Sequence, residues 1–482
     1  MAGTTNKPIR VRMAPSPTGH LHMGTAHTAL FNWLFARQDN GTFVLRVEDT
    51  DRERSKKEYE GEIIEGLHWL GIEWDEGPDK GGDFGPYRQT ERTEIYKKYL
   101  KELLDKGEAY YCYCTKEDIE AQKQALVSQG LPPKYNGHCR NLKEPPVGKK
   151  PEVIRFQVPE VKVEFSDLIR GKVIFDAALF GDMIIAKDLD NPLYNFAVVV
   201  DDALMQITHV IRGEDHVSNT PKQILMQRAL GFPEPIYAHL PLILNPDRSK
   251  MSKRFADTAV MDYRREGYLP GAILNFLAFL GWHPKGDQDV LSRDELIAQF
   301  DISRVQKAGA VFNQEKLDWL NREYLKKMSD EEIAEAARPF FDEEKIVADA
   351  ERIARVVSVV RGRASTLHDF VTMGMLFFKL PEYEPNLLIW QKAPSSLPQI
   401  AGILGELNDI LRELPAGNFA REDLTAAIMG MIGTRQRGEI LWPLRVALSG
   451  QAASPDPIEI MGVIGKEESL RRIEIAIKKC NG

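Results

Sequence analysis

Cysteine is scarce: the 482-residue chain has four, too few for a disulfide scaffold in a protein of this size. Long apolar runs are missing as well, and no stretch approaches the roughly 20 residues that a membrane-spanning helix needs. The opening residues, MAGTTNKPIR, have no hydrophobic segment behind their charges, unlike a secretory signal. They read as a short frayed lead-in to a first strand, in a protein expected to be cytoplasmic. Positive charge is not in excess. Sixty-three Lys and Arg against 71 Asp and Glu leave a net charge of −8, which argues against a nucleic-acid binder that is basic overall. Phosphate contact depends on local patches rather than the total. Arg248–Arg254, Arg361 with Arg363, and Arg435 with Arg437 are candidate patches, although each taken singly reads first as a solvated face. There is no internal repeat, no low-complexity tract and no convincing Ser/His/Asp triad. Hydrophobic content of 43% and charged content of 28% are ordinary for a globular protein. The length calls for several domains.

What is present is organised around Arg12–Ala29, RMAPSPTGHLHMGTAHTA. A short apolar lead-in breaks at Pro15-Ser16-Pro17-Thr18-Gly19 and resumes as a small-residue helix from about His22. Strand, turn and helix start together make a phosphate seat, because free N–H groups and the positive dipole end meet there. A second dense stretch, Lys250-Met251-Ser252-Lys253-Arg254, packs three cations and a hydroxyl just past the turn-rich Asn245-Pro246-Asp247.

Strands and helices alternate from Ile9 to about Leu104: Thr42–Val47 is β-rich, and Glu58–Trp69 and Tyr96–Leu104 carry apolar residues at helical spacing. That order points to a parallel sheet wound with helices, with ligands at the carboxyl ends of its strands. From about Gly107 to Leu193, Pro and Gly become frequent and strand-like runs appear at Val153–Val158 and Lys172–Phe175. This segment reads as an insertion, after which the wound pattern returns with Phe196–Val200 and Gln206–Ile211. Beyond Arg254 the chain turns helical. Ser292…Glu295 and Ser329…Glu332 are capping boxes, and a Pro-rich connector spans Pro381–Pro398.

The two dense stretches, in this order, resemble the HIGH and KMSKS signatures of class I aminoacyl-tRNA synthetases. With RVEDTDRERS, GPYRQTER, VVVDDALMQITHVIRGEDH and NPDRSKMSKR, nearly the whole chain resembles the bacterial or organellar glutamyl type. The resemblance implies an α/β Rossmann-type parallel-sheet catalytic domain split by an α+β insertion, then all-helical stem-contact and anticodon-binding domains. The expected bounds are 1–104 with 194–250 for the catalytic domain, 105–193 for the insertion, 251–327 for the stem-contact domain and 328–482 for the anticodon-binding domain. The implied partners are ATP with Mg²⁺, L-glutamate and tRNA(Glu), with no membrane; a monomer is the family's expectation.

The implied reaction has glutamate attack the α-phosphate of ATP, then passes the glutamyl group to the terminal adenosine of tRNA. Such chemistry asks for positioning and charge neutralisation rather than a covalent nucleophile. His22, Lys253 and Lys250 are the catalytic candidates, with Ser16, Gly24, Asp215, Ile243, Ser252 and Arg254 also at ATP. By resemblance alone, His216 joins Asp215 beside the ribose or adenine, and Leu244 joins Ile243 in offering backbone groups to the adenine ring. Glutamate needs cations for two carboxylates, supplied by Arg12 and Arg212 as planar forks, and an acceptor for its ammonium group, Glu48. By resemblance Ala14, Ser16 and Tyr194 line the same pocket, while Val198 stands where some relatives carry a polar residue. An Arg aimed at a neutral amide would be left unpaired, so Arg212 favours glutamate over glutamine. The run Glu48-Asp49-Thr50-Asp51 is also a metal-ligand pattern, which leaves Asp49 and Asp51 open for Mg²⁺.

Cys112, Cys114 and Cys139 cluster in the insertion, whereas Cys480 lies at an end expected to fray. Three thiolates and one further ligand complete a structural zinc site. Tyr135 is the fourth ligand by resemblance, His138 by ligand chemistry alone, and three free cysteines are the alternative. Arg363 resembles the arginine that reads the third anticodon base, and serves equally to hold a phosphate. Charging of tRNA(Gln) as well, or a glutaminyl enzyme, are the alternatives within the class.

Overall fold

The structure, a computed structural model, describes residues 8–249, 259–392, 395–415, 419–433 and 435–482. They fall in two compact units: Met1–Arg264 with Pro270–Leu317, and Arg265–Leu269 with Asp318–Gly482. The first seven residues, expected as a lead-in, lie outside the described residues.

Strand β1 (Arg10–Met13) leads through the Pro-rich turn into helix α1 (Met23–Gln38), and β2 (Thr42–Leu45) returns parallel to β1. Helix α1 is buried on nearly every face, as befits a helix sandwiched in a core rather than lying on a surface. Two of its polar side chains find partners inside: Asn32 Nδ2 donates to the Ile211 carbonyl at 3.0 Å, and a His27 ring nitrogen lies 2.7 Å from the Leu280 carbonyl. Helices α2 (Lys57–Trp69) and α3 (Thr93–Asp105) follow.

The next stretch holds β3 (Ala109–Cys112), α4 (Lys116–Ser128), β4 (Val153–Phe156), β5 (Lys162–Asp167), β6 (Gly171–Asp176) and β7 (Met183–Ala186). Strands β3, β4 and β7 form an antiparallel sheet, and β5 and β6 a hairpin. The wound chain resumes as α5 (Tyr194–Leu204), β8 (His209–Gly213), α6 (Thr220–Leu230), β9 (Ile236–Leu240) and β10 (Ile243–Leu244). Phe196–Val200 therefore lies in a helix.

Strands β8 and β9 are parallel, and β5 joins them by pairing Asp167 with Tyr237. On the other side β8 meets β1, where the Thr208 N–H donates to the Arg10 carbonyl at 2.9 Å. Two sheets, β6-β5-β9-β8 and β1-β2, thus lie edge to edge at β8 and β1. The chain winds outward in opposite directions from β1 and β8, so the crevice for a ligand opens at their carboxyl ends.

The unit continues with α7 (Val260–Arg265), α8 (Pro270–Phe279), α9 (Arg293–Gln299), β11 (Ala310–Val311) and α10 (Gln314–Lys327), within which the division at Leu317 falls. Residues 251–327 are not wholly helical as expected: β11 pairs in parallel with β10. Two residues are too short a run for periodicity to reveal.

The second unit is helical: α11 (Asp330–Glu343), α12 (Ala350–Val360), α13 (Leu367–Phe378), α14 (Leu397–Glu413), α15 (Arg421–Ile432), α16 (Arg437–Ser449) and α17 (Pro457–Asn481). Ser292 and Ser329 both close the capping boxes read from the sequence. One apolar core runs through the unit. Cys480 belongs to it at 6% exposure, because α17 packs its last turn inward; its place at a frayed end is corrected. Among the described residues no helix is long and apolar enough to cross a membrane.

Candidate active site

A cleft of about 670 Å³ opens at the carboxyl ends of β1 and β8, against the first turn of α1. It gathers Arg12, Ala14, Ser16, His22, Gly24, Glu48, Tyr194, Arg212, Asp215 and Ile243, all expected at ATP or glutamate; Leu244, expected at the adenine, does not line it. His216 lines it too, whereas Val198 is buried in the core of α5. Lys250, Ser252, Lys253 and Arg254 lie outside the described residues. The described chain stops at Ser249 and resumes at Ala259, which bridges to His22, while the Val260 N–H donates to the Leu21 carbonyl at 2.8 Å.

His22 is the N-cap residue of α1. A Cβ placed on Gly24 would meet nothing within 4 Å beyond its chain neighbours and its own helix backbone, and Gly24 lines the cleft.

Beneath the cleft lies an unusual density of buried charge. Arg12 Nε donates to Asp202 Oδ1 at 3.2 Å, and Arg46 Nη1 to the same oxygen at 2.8 Å. The Arg46 Nη2 group donates to Glu48 Oε1 at 3.0 Å. One residue along, Asp201 accepts from Arg92 Nε, Gln89 Nε2 and the Tyr96 hydroxyl at 2.7–2.9 Å. Arg46 and Asp201 are fully buried, so each charge depends on these partners. Burial pushes Glu48 up from its ordinary value, against the pull of Arg46 and Arg12. Burial acts on Asp202 likewise, but Arg12 and Arg46 together hold it below its ordinary value. His216, whose Nδ1 is 3.1 Å from the Tyr194 hydroxyl, is lowered to about 4 by burial and by Arg212. It faces the cleft as a neutral imidazole.

On the far wall Arg212 Nη2 donates to Thr220 Oγ1 at 2.8 Å, and its Nε to His239 Nε2 at 3.3 Å. Arg212 Nη1 has no hydrogen-bond partner among the described residues. Two cations, Arg12 and Arg212, thus stand with one buried carboxylate, Glu48, around a single space.

Comparison with known proteins decides the family. Residues 8–319 match the model of the tRNA synthetases class I (E and Q) catalytic domain, and 332–477 an anticodon binding domain. The glutamate–tRNA ligase of Sulfurihydrogenibium sp. (strain YO3AOP1) is 45% identical, over 96% of this chain and 98% of its own. That of Symbiobacterium thermophilum is also 45% identical, over 96% and 99%. The chain belongs to the glutamate–tRNA ligases of class I. A crystal structure of a glutamate tRNA ligase from Elizabethkingia meningosepticum, in complex with its amino acid, superposes with a TM-score of 0.86. The two are 35% identical and the match covers 98% of this chain and 99% of that one.

Away from the cleft of this class I ligase, Cys112, Cys114 and Cys139 bring their sulfurs within 4.8 Å of one another. Cys114 and Cys139 Sγ are 3.6 Å apart, and the Tyr135 hydroxyl lies 3.5 and 3.7 Å from the sulfurs of Cys112 and Cys114. Tetrahedral thiolates at about 2.3 Å from zinc stand about 3.8 Å apart, so this donor set fits such an ion. His138 is exposed, its backbone N–H donates to Asn136 Oδ1, and its ring nitrogens are not among the donors gathered with the three sulfurs. Burial acts to raise the Cys112 thiol, but the Tyr135 hydroxyl and Arg155 guanidinium hold it below its usual value. Burial pushes Cys114 up to about 11.

Asp49 is occupied by Thr90, accepting from its N–H at 2.9 Å and its hydroxyl at 2.6 Å, and half-buried Asp51 pairs with Arg54. In the second unit Arg363 is exposed after α12, whereas Arg361 donates to Asp330 and to the Met328 carbonyl. Arg435 is paired with Glu406.

Sequence reading passed over Arg46, Asp201, Asp202, His239 and Asp167. All but Asp167 and His239 sit within segments quoted for the resemblance, and a charged residue inside an apolar strand or helix was the available signal.

Proposed function

We propose that the cleft binds ATP and L-glutamate side by side and joins them as glutamyl adenylate, before the glutamyl group moves to the 3′-terminal adenosine of tRNA(Glu). A glutamate carboxylate oxygen attacks the α-phosphorus and pyrophosphate leaves; a ribose hydroxyl of the adenosine then attacks the acyl carbon and AMP leaves. The observation that carries this reading is the convergence of Arg12, Glu48 and Arg212 on the space facing the first turn of α1. Helix N–H groups and His22 suit phosphate, Gly24 lets it approach, and Asp215 and Ile243 suit ribose and adenine. Ser16 lies where the two substrates meet.

Arg212 takes the side-chain carboxylate, Arg12 the α-carboxylate, and Glu48 the ammonium group, with Ala14 and Tyr194 completing the pocket. Lys253, with Lys250, Ser252 and Arg254, neutralises pyrophosphate as it departs. Support for this is the return of the chain at Ala259, against His22. Mg²⁺ would come with ATP, since Asp49 and Asp51 are committed to Thr90 and Arg54 and Mg²⁺ readily keeps substrate oxygens and water as ligands.

Zinc held by Cys112, Cys114, Cys139 and Tyr135 braces the 105–193 segment, which grips the acceptor end. Arg363 meets the anticodon from the 328–482 region. Residues 1–104 with 194–250 form the catalytic domain and 251–327 the stem contact. A monomer acting in the cytoplasm is part of the reading by resemblance alone.

ATP–pyrophosphate exchange tests it, with glutamate or glutamine and with or without tRNA(Glu). Exchange is expected with glutamate when tRNA is present, and not with glutamine. Glutamate exchange without tRNA would redirect the reading to a tRNA-modifying relative, and no exchange under any condition would overturn it.

A further inference from the structure

Arg212 is not aimed by its own strand alone. Its guanidinium is held from behind by His239 on β9 and Thr220 at the start of α6, and His239 is held in turn by Asp167 at the end of β5. The contact between Asp167 Oδ2 and His239 Nδ1 is 2.6 Å, with both side chains fully buried. Asp167 Oδ1 is itself fixed, accepting from the N–H groups of Ile169 at 2.9 Å and Arg170 at 2.7 Å. A carboxylate with two backbone donors stays ionised, so His239 gives its Nδ1–H to Asp167. Its Nε2 then carries a lone pair, which accepts from Arg212 Nε at 3.3 Å and lies 3.0 Å from Thr220 Oγ1. Were His239 protonated, an N–H would face an N–H. Burial and the Arg212 charge hold the ring neutral, against the pull of Asp167.

These bonds consume Arg212 Nε and one bond of Nη2, and leave Nη1 buried and, among the described residues, without a partner on a residue that lines the cleft. We propose that Asp167 and His239 are positioning residues that aim Arg212 at the substrate's side-chain carboxylate and thereby set the affinity for glutamate. This rests on the assignment of Arg212 proposed above. It also makes β5, which belongs to the hairpin between α3 and α5, a part of the amino-acid pocket. The turn after it is tied down a second time. Arg170 pairs with Glu214, whose Oε1 accepts from the Leu242 N–H at 2.9 Å.

The test is the steady-state kinetics of charging by the full chain, with glutamate and ATP varied separately, for Asp167→Asn, His239→Leu and His239→Gln. Gln keeps an acceptor for Arg212 and a donor for Asp167, whereas Leu removes both. For Asp167→Asn and His239→Leu the KM for glutamate should rise roughly tenfold or more, because a misaimed fork loses its geometry, while the KM for ATP stays near that of the parent. His239→Gln should restore most of the glutamate affinity. Thermal unfolding separates misfolding from misaiming. A glutamate KM unchanged in folded His239→Leu would overturn the inference with the parent still active; an inactive parent would instead remove the assignment beneath it. An equal loss of ATP and glutamate affinity in all three variants would show a merely structural role, and overturn it too.

Discussion

Glu48 is a carboxylate pulled in two directions, lifted above its ordinary 4.5 by burial and drawn back by Arg46 and Arg12. Its ionised form pairs with an ammonium group by charge as well as by hydrogen bond, and protonation removes the charge. Because the net displacement is upward, protonation sets in at a higher pH than for an exposed glutamate. The kcat/KM for glutamate should therefore fall as pH is lowered, with its midpoint above 4.5. In Glu48→Gln this limb should vanish and the plateau drop roughly a hundredfold, since a buried charge partner is lost. A pH profile of pyrophosphate exchange measures both. At this scale legibility divides sharply. Arg12, Glu48 and Arg212 were readable because each stands in a local motif, and a motif is a statement about near neighbours. The Arg12–Asp202 and Asp167–His239 pairs bridge 190 and 72 residues; without the fold nothing in the sequence says which acid meets which base.

Among the elements, strand–turn–helix order foretold the crevice, because a parallel sheet leaves ligands at one end of its strands. The joining of β5 to β9 was not foretold. A single backbone pairing, Asp167 with Tyr237, leaves no periodic trace, so the 105–193 segment read as more separate than it is. The thiol cluster was legible from spacing; the Tyr135 hydroxyl lies against two of its sulfurs, and the His138 ring is not among the donors gathered there. The purified chain should carry about one zinc, lose it to a strong chelator, and then unfold at lower temperature, as structural zinc contributes folding energy. Cys139→Ser should lose the ion, whereas Tyr135→Phe should keep the thiols but bind more weakly. Metal analysis with melting curves checks this; a metal-free chain indifferent to chelator would contradict it.

Over the whole molecule, two units with separate cores divide the work, and each can be tested by itself. In the helical unit, fully buried Arg472 donates to the carbonyls of Leu376 and Leu448 at 2.7 and 2.6 Å, tying α13, α16 and α17 together. Its charge is met by Glu468 at 2.7 Å, whose carboxyl is lowered to about 2 by Arg471 and then, against burial, by Arg472. A depressed carboxylate stabilises above its unfolded pKa, and that contribution is lost as pH falls through the folded value. Glu468→Gln should thus cost about 1–3 kcal/mol at pH 7, with the deficit narrowing below pH 4.5 toward 2. Urea titrations at several pH values read this directly, and a deficit that stays constant with pH would contradict it.

The measurement closest to the central claim is the charging of tRNA(Glu) by the full chain with labelled glutamate or glutamine, followed by identification of the amino acid on the 3′-terminal adenosine. The two arginines and Glu48 in one cleft predict glutamate, with glutamine slower by roughly a hundredfold or more because Arg212 would face an amide. Equal charging with both would contradict the reading of Arg212, and no esterified tRNA with either would contradict the account of the cleft.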